Sequence, residues 1–468
     1  MDKKKSEAEL LKEKLTLKRK HAGLIMSDKD IAKCDKYCKR YMDFLSVSKI
    51  EREAVFNTVK EAETKGFVPF DRKAKYKAGD KVYYVNRGKA VIFAVIGKKK
   101  VAEGINIMAA HIDSPRLDLK QNPLYENEEH AYFKTHYYGG IKKYQWGTIP
   151  LALHGAIVKA DGTVINVNIG EDENDPVFCV TDLLPHLAQE QMKRTPAELL
   201  KGEELNVLIG SRPFKDDDVS EKVKLAILSI LNDKYGITEA DLVSAELDAV
   251  PAGKARDVGL DRSMIGAYGH DDKVCSYTAF SALIDMKGIP ERTALVILTD
   301  KEETGSDGNT GLKSAYLRYF ISDLAEMFGE KGRHVLSKSR CLSADVNAGF
   351  DPGFPDVLEK RNAAIMSHGV CVTKFTGARG KSGTSDASAE FVAEVRRLLD
   401  DNDVIWQTGE LGRVDLGGGG TVAAYIANLD VDTIDVGVPV LCMHAPFELV
   451  SKFDVYQTYK AFEAFCKS

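Results

Sequence analysis

The stretch ALVILTDKEETGS, residues 294–306, carries an apolar run into a charged turn that holds two adjacent carboxylates, Glu302 and Glu303. The run reads as a strand and the acids as its carboxyl end. Other segments repeat the pattern: AAHIDSPRLDL (109–119), GHDDKVCSY (269–277), LSADVNAG (342–349) and VLCMHAPFE (440–448). The strand-like INIMAA delivers His111, CLSA delivers Asp345 and VPVLCM delivers His444, while Asp271 follows the less apolar AYGH. In open α/β sheets ligands gather at the carboxyl ends of strands, where adjacent chain ends diverge and leave a crevice. After Gly253 strand and helix patterns alternate, so the expected fold class is α/β, with a mixed central sheet sandwiched by helices.

Working outward, the chain to about Lys65 has apolar residues at three- and four-residue spacing and reads as helical. Its opening, MDKKKSEAELLKEKLTLKRK, reads as a solvated amphipathic helix and not as an export or transit signal. KVYYVN and AVIFAVIG, separated at Arg87 and Gly88, form a hairpin pattern. Between Pro123 and Pro251 the character changes. GTIPLALHGAIV, a turn at Asp161 and Gly162, and TVINVNIG predict antiparallel strands, followed by the charged loop FKDDDVSEK and the helix-like KLAILSILNDKYG. The predicted layout is a catalytic domain of residues 1–122 and 251–468, interrupted by a β-rich inserted domain at 123–250.

Composition narrows the classes. The 468 residues are 44% apolar and 29% charged, as in soluble globular proteins. No apolar run approaches the roughly 20 residues needed to span a bilayer, so no membrane role is expected. A net charge of -5 repels phosphate and argues against nucleic acid as a partner. The eight cysteines are scattered, Cys34 and Cys38 lack a second Cys/His pair at zinc-finger spacing, and free thiols in a reducing cytoplasm are expected.

The strand-end residues form a metal-ligand inventory. Divalent zinc accepts imidazole nitrogen and carboxylate oxygen, and two-metal sites share a bridging group. His111 and His444 are assigned as terminal ligands, Asp271 as the bridge, and Glu303 and Asp345 as the remaining carboxylates of two divalent ions. These are most simply Zn2+, although Co2+ or Mn2+ suits the same donors. Glu302 is left without a metal to serve and is assigned as general base, since a free carboxylate beside an activated water can take its proton and pass it on. Asp113 is placed beside it in the catalytic set, to hold the far nitrogen of His111. Asp272 is expected to buttress the bridge, and Glu448 to support His444 from the start of a helix. A single strand-end histidine, or a single acidic pair, is usually packed or solvated; five such coincidences together carry the assignment. His21, His130, His154, His270 and His334 are left as ordinary residues.

The same segments, with GGGGTVAAYIA at 417–427, resemble in order and spacing the motifs of the aminopeptidase I and aspartyl aminopeptidase family of zinc metallopeptidases. The resemblance covers nearly the whole chain. It implies hydrolysis of the first peptide bond of peptides with a free amino terminus, with an acidic or neutral apolar N-terminal residue preferred. It also implies the metal and base roles just given, and a cis peptide between Asp271 and Asp272. The family's inserted domain mediates dimerisation, and its dimers build a tetrahedral dodecamer, so a homo-oligomer is expected. By the same resemblance, His186 in TDLLPHLAQEQ matches a histidine that reaches a neighbouring subunit's active site, and His368 and Lys374 in SHGVCVTKF match a segment near the substrate pocket. THYYGGIKKYQWGTIPLALHG and ARGKSGTSDASAE depart from the family pattern. A related amidohydrolase or deacylase, and a non-catalytic assembly protein on the same fold, are the alternatives. The substrate's amino terminus, blocked or free, separates the first; loss of a ligand or of the base would mark the second.

Overall fold

The computed structural model describes residues 5–17 and 19–468; of the charged opening, a helix spans Glu7–Leu15, while residues 1–4 and 18 lie outside the described residues. Ser6 caps this helix by accepting the Glu9 N–H, and the Glu9 carboxylate accepts the Ser6 N–H in return. None of the residues of the helix is buried.

Among the described residues the strands form three sheets. The central sheet has nine, in the order Val68–Pro69, Lys81–Asn86, Ala90–Val95, Ala294–Thr299, Asn106–His111, Arg340–Ser343, Asp432–Gly437, Val370–Thr373 and Trp406–Thr408. Those from Ala294–Thr299 to Asp432–Gly437 are parallel, with antiparallel neighbours on both sides. Alternate residues face different cores. Ile107 and Ala109 pack with Phe320 and Ile321 of the helix Tyr316–Met327, whereas Met108 and Ala110 share a cluster with Tyr41, Phe280 and Phe462 of the helices Asp28–Val47, His270–Asp285 and Lys452–Lys467. A strand covered on both faces favours apolar side chains along its length, which is why ALVIL and IMAA run without a polar residue; Asn106, buried at the start of its strand, donates to the Phe465 carbonyl at 2.9 Å. The expected hairpin is present, with Tyr83 opposite Phe93, and its turn places both Arg87 and Gly88 at positive φ.

The second sheet has seven strands, in the order Val164–Ile169, Leu151–Val158, Ala245–Pro251, Arg116–Asn127, His130–Tyr138, Val207–Gly210 and Cys179–Val180, all antiparallel. Trp146, Phe133, Leu153 and Leu247 belong to its core, and the helix Lys222–Tyr235 packs on it through Ile227 and Leu231. Its strand Arg116–Asn127 begins close behind His111, so the chain passes almost directly from the edge of the central sheet into the second one.

The third sheet has five strands, in the order Arg256–Val258, Met264–Ala267, Glu448–Ser451, Pro439–Leu441 and Asn347–Ala348. Two parallel neighbours of the central sheet, Arg340–Ser343 and Asp432–Gly437, run past their carboxyl ends and pair again here, as Asn347–Ala348 beside Pro439–Leu441. The expectation that all the ligand segments end strands of one sheet is corrected by this arrangement. His444 follows a strand of the third sheet, and Asp271 opens a helix fed by another strand of that sheet, Met264–Ala267. A short apolar run shows that a strand exists, not which sheet it joins.

Candidate metal centre

The carboxyl edge of the central sheet brings three of the segments together. Leu298 pairs with Ala110 and Ser343 with Ala109, so His111 at the end of its strand and the turns bearing Glu302 and Glu303, and Asp345, emerge side by side. The helix His270–Asp285 starts below them after Gly269 at φ 79°, and the Asp271–Asp272 peptide is cis. His444, itself at φ 63°, arrives from the third sheet.

Two groups of donor atoms result. His111, Asp271 and Asp345 offer ligand atoms within 4.8 Å of one another, and so do Asp271, Glu303 and His444. Asp271 belongs to both: its Oδ1 is 3.2 Å from His111 Nε2 and its Oδ2 is 3.1 Å from His444 Nε2. Glu303 Oε2 lies 3.5 Å from His444 Nε2. Glu302 stands in neither group, with Oε2 3.8 Å from His111 Nε2.

Both imidazoles are oriented from behind. His111 Nδ1 donates to the Asp113 carbonyl at 3.1 Å and lies 3.3 Å from the Asp113 carboxylate; His444 Nδ1 donates to the Gly140 carbonyl at 2.8 Å. Because a carbonyl only accepts, each ring carries a proton on Nδ1 and turns Nε2 towards Asp271. Asp113 also accepts the N–H groups of Glu302 and Glu303, each at 3.2 Å, and so fixes the turn that carries both.

The electrostatics show a surplus of negative charge. Burial pushes Glu302 up to about 7, with Asp113 and Asp271 adding to the rise against His111 and His444. Burial likewise raises Glu303 and Asp345, reinforced by Asp271 and by Asp272 respectively. Burial would lower both histidines, but hydrogen bonds to Asp113 and Asp271 and the charge of Glu302 raise His111, and contact with Asp271 and Glu303 raises His444 to about 10. Like charges this close are stable only with positive charge among them. The buried Glu303 Oε1 has no hydrogen-bond partner among the described residues, and imidazole nitrogen with carboxylate oxygen is the donor set that suits zinc. The residues therefore fit divalent cations.

The supporting residues are placed less uniformly. Glu448 begins a strand and not the expected helix, because it pairs with Ala267 across the third sheet. From there its Oε1 accepts the His444 N–H at 2.7 Å and its Oε2 the Asp271 N–H at 3.1 Å, tying together two segments of different origin. Asp272 is fully buried, but among the described residues neither of its oxygens has a hydrogen-bond partner, so it does not brace Asp271 by a hydrogen bond. His186 is exposed in an irregular stretch between Val180 and Gln191. His368 donates from Nδ1 to the Met366 carbonyl at 3.0 Å and packs edge-on against His21. Lys374 follows a strand that runs antiparallel to Asp432–Gly437, which carries it away from the edge bearing the two donor groups, and it pairs with Asp386 at 2.8 Å. None of these three belongs to either donor group.

Sequence reasoning passed over Tyr138, Gly139 and Gly140, which reach the site from the second sheet, and Lys273, whose fully buried ammonium bonds Ser114 Oγ at 2.6 Å. Ser114 in turn donates to the Asp271 carbonyl at 2.8 Å. The Tyr-Gly-Gly run inside THYYGGIKK was the available signal, since paired glycines mark a close backbone approach.

The relatives of this chain fit the same picture. A probable M18 family aminopeptidase 1 from Clostridium acetobutylicum is 52% identical over 434 residues, covering 91% of this chain and 93% of that protein. The crystal structure of an M18 family aminopeptidase from Thermotoga maritima superposes with a TM-score of 0.92 at 45% identity, covering 97% of this chain and all of that one. The S. cerevisiae mApe1 dodecamer shares the fold at a TM-score of 0.74 and 21% identity, with 92% of this chain and 96% of that chain covered. Residues 44–466 match the family described as aminopeptidase I zinc metalloprotease (M18), and with donor atoms suited to zinc at the sheet edge the chain belongs to that family of aminopeptidases.

Proposed function

We propose that this aminopeptidase removes the N-terminal residue of peptides with two divalent ions, most simply zinc, and Glu302 as general base. The observation that carries the reading is the sharing of Asp271 between two ligand groups while Glu302 stands beside them and joins neither. In this reading His111 and Asp345 would hold one ion and His444 and Glu303 the other, with Asp271 shared between them. Ions held there would supply Lewis acidity, polarising the scissile carbonyl and lowering the pKa of water towards about 7. Glu302 takes the proton from the attacking water and returns it to the leaving amine, a contribution typically worth about 10² to 10⁴ in rate. Asp113 keeps the backbone of Glu302 and Glu303 in place, which lets adjacent residues do different work.

The test is Glu302→Gln. Metal content by elemental analysis stays at the wild-type value and turnover is lost; near-normal turnover in the metal-loaded variant removes Glu302 from this role.

The preferred N-terminal residue is acidic or neutral apolar in this reading. The pairing of Lys374 with Asp386 supports the neutral apolar half, because the cation that would select an acid is already engaged. Aminoacyl substrates with acidic, apolar and basic side chains separate the two. Residues 123–250 are assigned to a dimerising inserted domain and the assembly to a tetrahedral dodecamer, in keeping with the dodecameric yeast structure; light scattering of the purified protein tests it. A reducing, cytoplasmic setting is supported by eight free cysteines, most of them buried. No helix among the described residues is long and apolar enough to cross a membrane.

A further inference from the structure

Tyr138 is the last residue of a strand of the second sheet, yet it and its two successors reach the metal centre. Its hydroxyl donates to Asp113 Oδ2 at 2.7 Å. Asp113 is fully buried and every other contact of its carboxylate leads to the centre: the N–H groups of Glu302 and Glu303, and Nδ1 of His111. Gly139 follows at φ 74°, where a Cβ would stand 3.2 Å from Glu303 Oε2, and the Gly140 carbonyl accepts from His444. One strand end of the second sheet thus touches the supports of both histidines.

The Tyr138 ring is itself held. The Arg116 guanidinium lies 4.1 Å from its centroid, within the range of a cation–π contact. Arg116 is buried and faces Asp118 at 2.8 Å, Glu51 at 3.1 Å and Asp248 at 3.3 Å. Glu51 starts the helix Glu51–Thr64, whereas Asp118 and Asp248 stand on paired strands of the second sheet. The guanidinium therefore pins the phenol where the second sheet meets the helical layer, and the hydroxyl has one partner to reach.

We propose that Tyr138 is a positioning residue of the metal centre: through Asp113 it sets the His111 imidazole and the Glu302–Glu303 turn, so that docking of the second sheet completes the site. The inference rests on the two-metal reading above. A purely structural tyrosine would affect melting and leave metal binding unchanged. A hydrogen bond that orients a ligand from behind is typically worth about 10- to 100-fold in metal affinity or activity.

The experiment titrates metal-free wild type and Tyr138→Phe with Zn2+ in competition with a chromophoric chelator. Alongside, it measures kcat, KM and the melting temperature of the metal-free forms. The expected result is about tenfold or more weaker binding of one of two ions, a lower kcat with KM within about twofold, and an unchanged metal-free melting temperature. Wild-type affinity for both ions in Tyr138→Phe overturns the proposal. Failure of wild type to bind two ions would instead strike the two-metal reading. A second comparison tests the route: if Tyr138 acts through Asp113, the double variant Asp113→Asn, Tyr138→Phe binds Zn2+ no more weakly than Asp113→Asn alone. Additive losses refute that route.

Discussion

His111 and His154 are two buried histidines, each set between carboxylates, and they do different things. His111 lies against Asp113 and Asp271 at the edge of the central sheet. His154, on the strand Leu151–Val158, lies 2.7 Å from Glu53 and 3.3 Å from Glu171, where the second sheet meets the helix Glu51–Thr64. Around His154 the charges have partners: the Lys49 ammonium approaches Glu171 at 3.6 Å, and Asn168 donates to Glu53. Around His111, Glu302, Glu303, Asp345 and Asp272 stand close with only His444 as a second imidazole. A buried histidine between acids is thus not in itself a candidate metal ligand. What distinguishes the two places is the negative charge left over after local pairs are counted.

The most severe way to break the comparison is at its acidic side. Glu302→Gln is expected to lower kcat by about 10² to 10⁴ with both ions retained. Next, His111→Ala should lose bound metal by more than the roughly 10- to 100-fold typical of an outer partner, as read by elemental analysis after dialysis. His154→Gln should keep its full metal content, and metal loss there would erase the distinction drawn above.

A subtler probe is Gly139→Ala. The new methyl would press on Glu303 Cβ at 3.3 Å and the backbone stands at φ 74°, so kcat should fall about tenfold as Glu303 is displaced. Unchanged kcat would show that the turn has room.

Smaller again is a pH effect at the His154 seam. Burial alone would lower His154, but the hydrogen bonds it donates to Glu171 and Glu53 outweigh it and raise it to about 9. Its charged form therefore adds stability in full below the unfolded value of about 6.5, and this is lost as pH rises through about 9. The contribution is on the order of 3 kcal/mol. Denaturant titrations of wild type and His154→Gln should differ most near pH 6 and converge above pH 9; parallel curves would contradict this. The smallest effect is expected of Lys374→Ala, within about twofold in kcat/KM, because that ammonium is exposed and already paired with Asp386.

The central strands were legible because they are covered on both faces: past Asn106 the run IMAA is apolar, as is ALVIL up to Thr299, and their ends could be counted. Glu448 was found as a support but placed on a helix. Four residues separate it from His444 on either reading, and only pairing with Ala267 makes the segment a strand. Lys374 was drawn towards the pocket because a strand's direction within its sheet leaves no mark on its sequence. Tyr138 and Gly140 went unassigned for a different reason. Their partners, Asp113 and His444, lie far along the chain, and the contacts exist only once two sheets are docked.

The sequence by itself determined the chemistry available: two imidazoles, the carboxylates that accompany them, and apolar runs that must be buried and so must bring those groups to a strand end. Tertiary structure decided how they are shared. Asp271 serves both donor groups because its two oxygens face histidines delivered by different sheets, and Glu302 and Glu303 part company because Asp113 grips both of their N–H groups. Ligand type is a property of single residues and their local run, whereas bridging, orientation and surplus charge are properties of distances between segments that meet only in the folded chain.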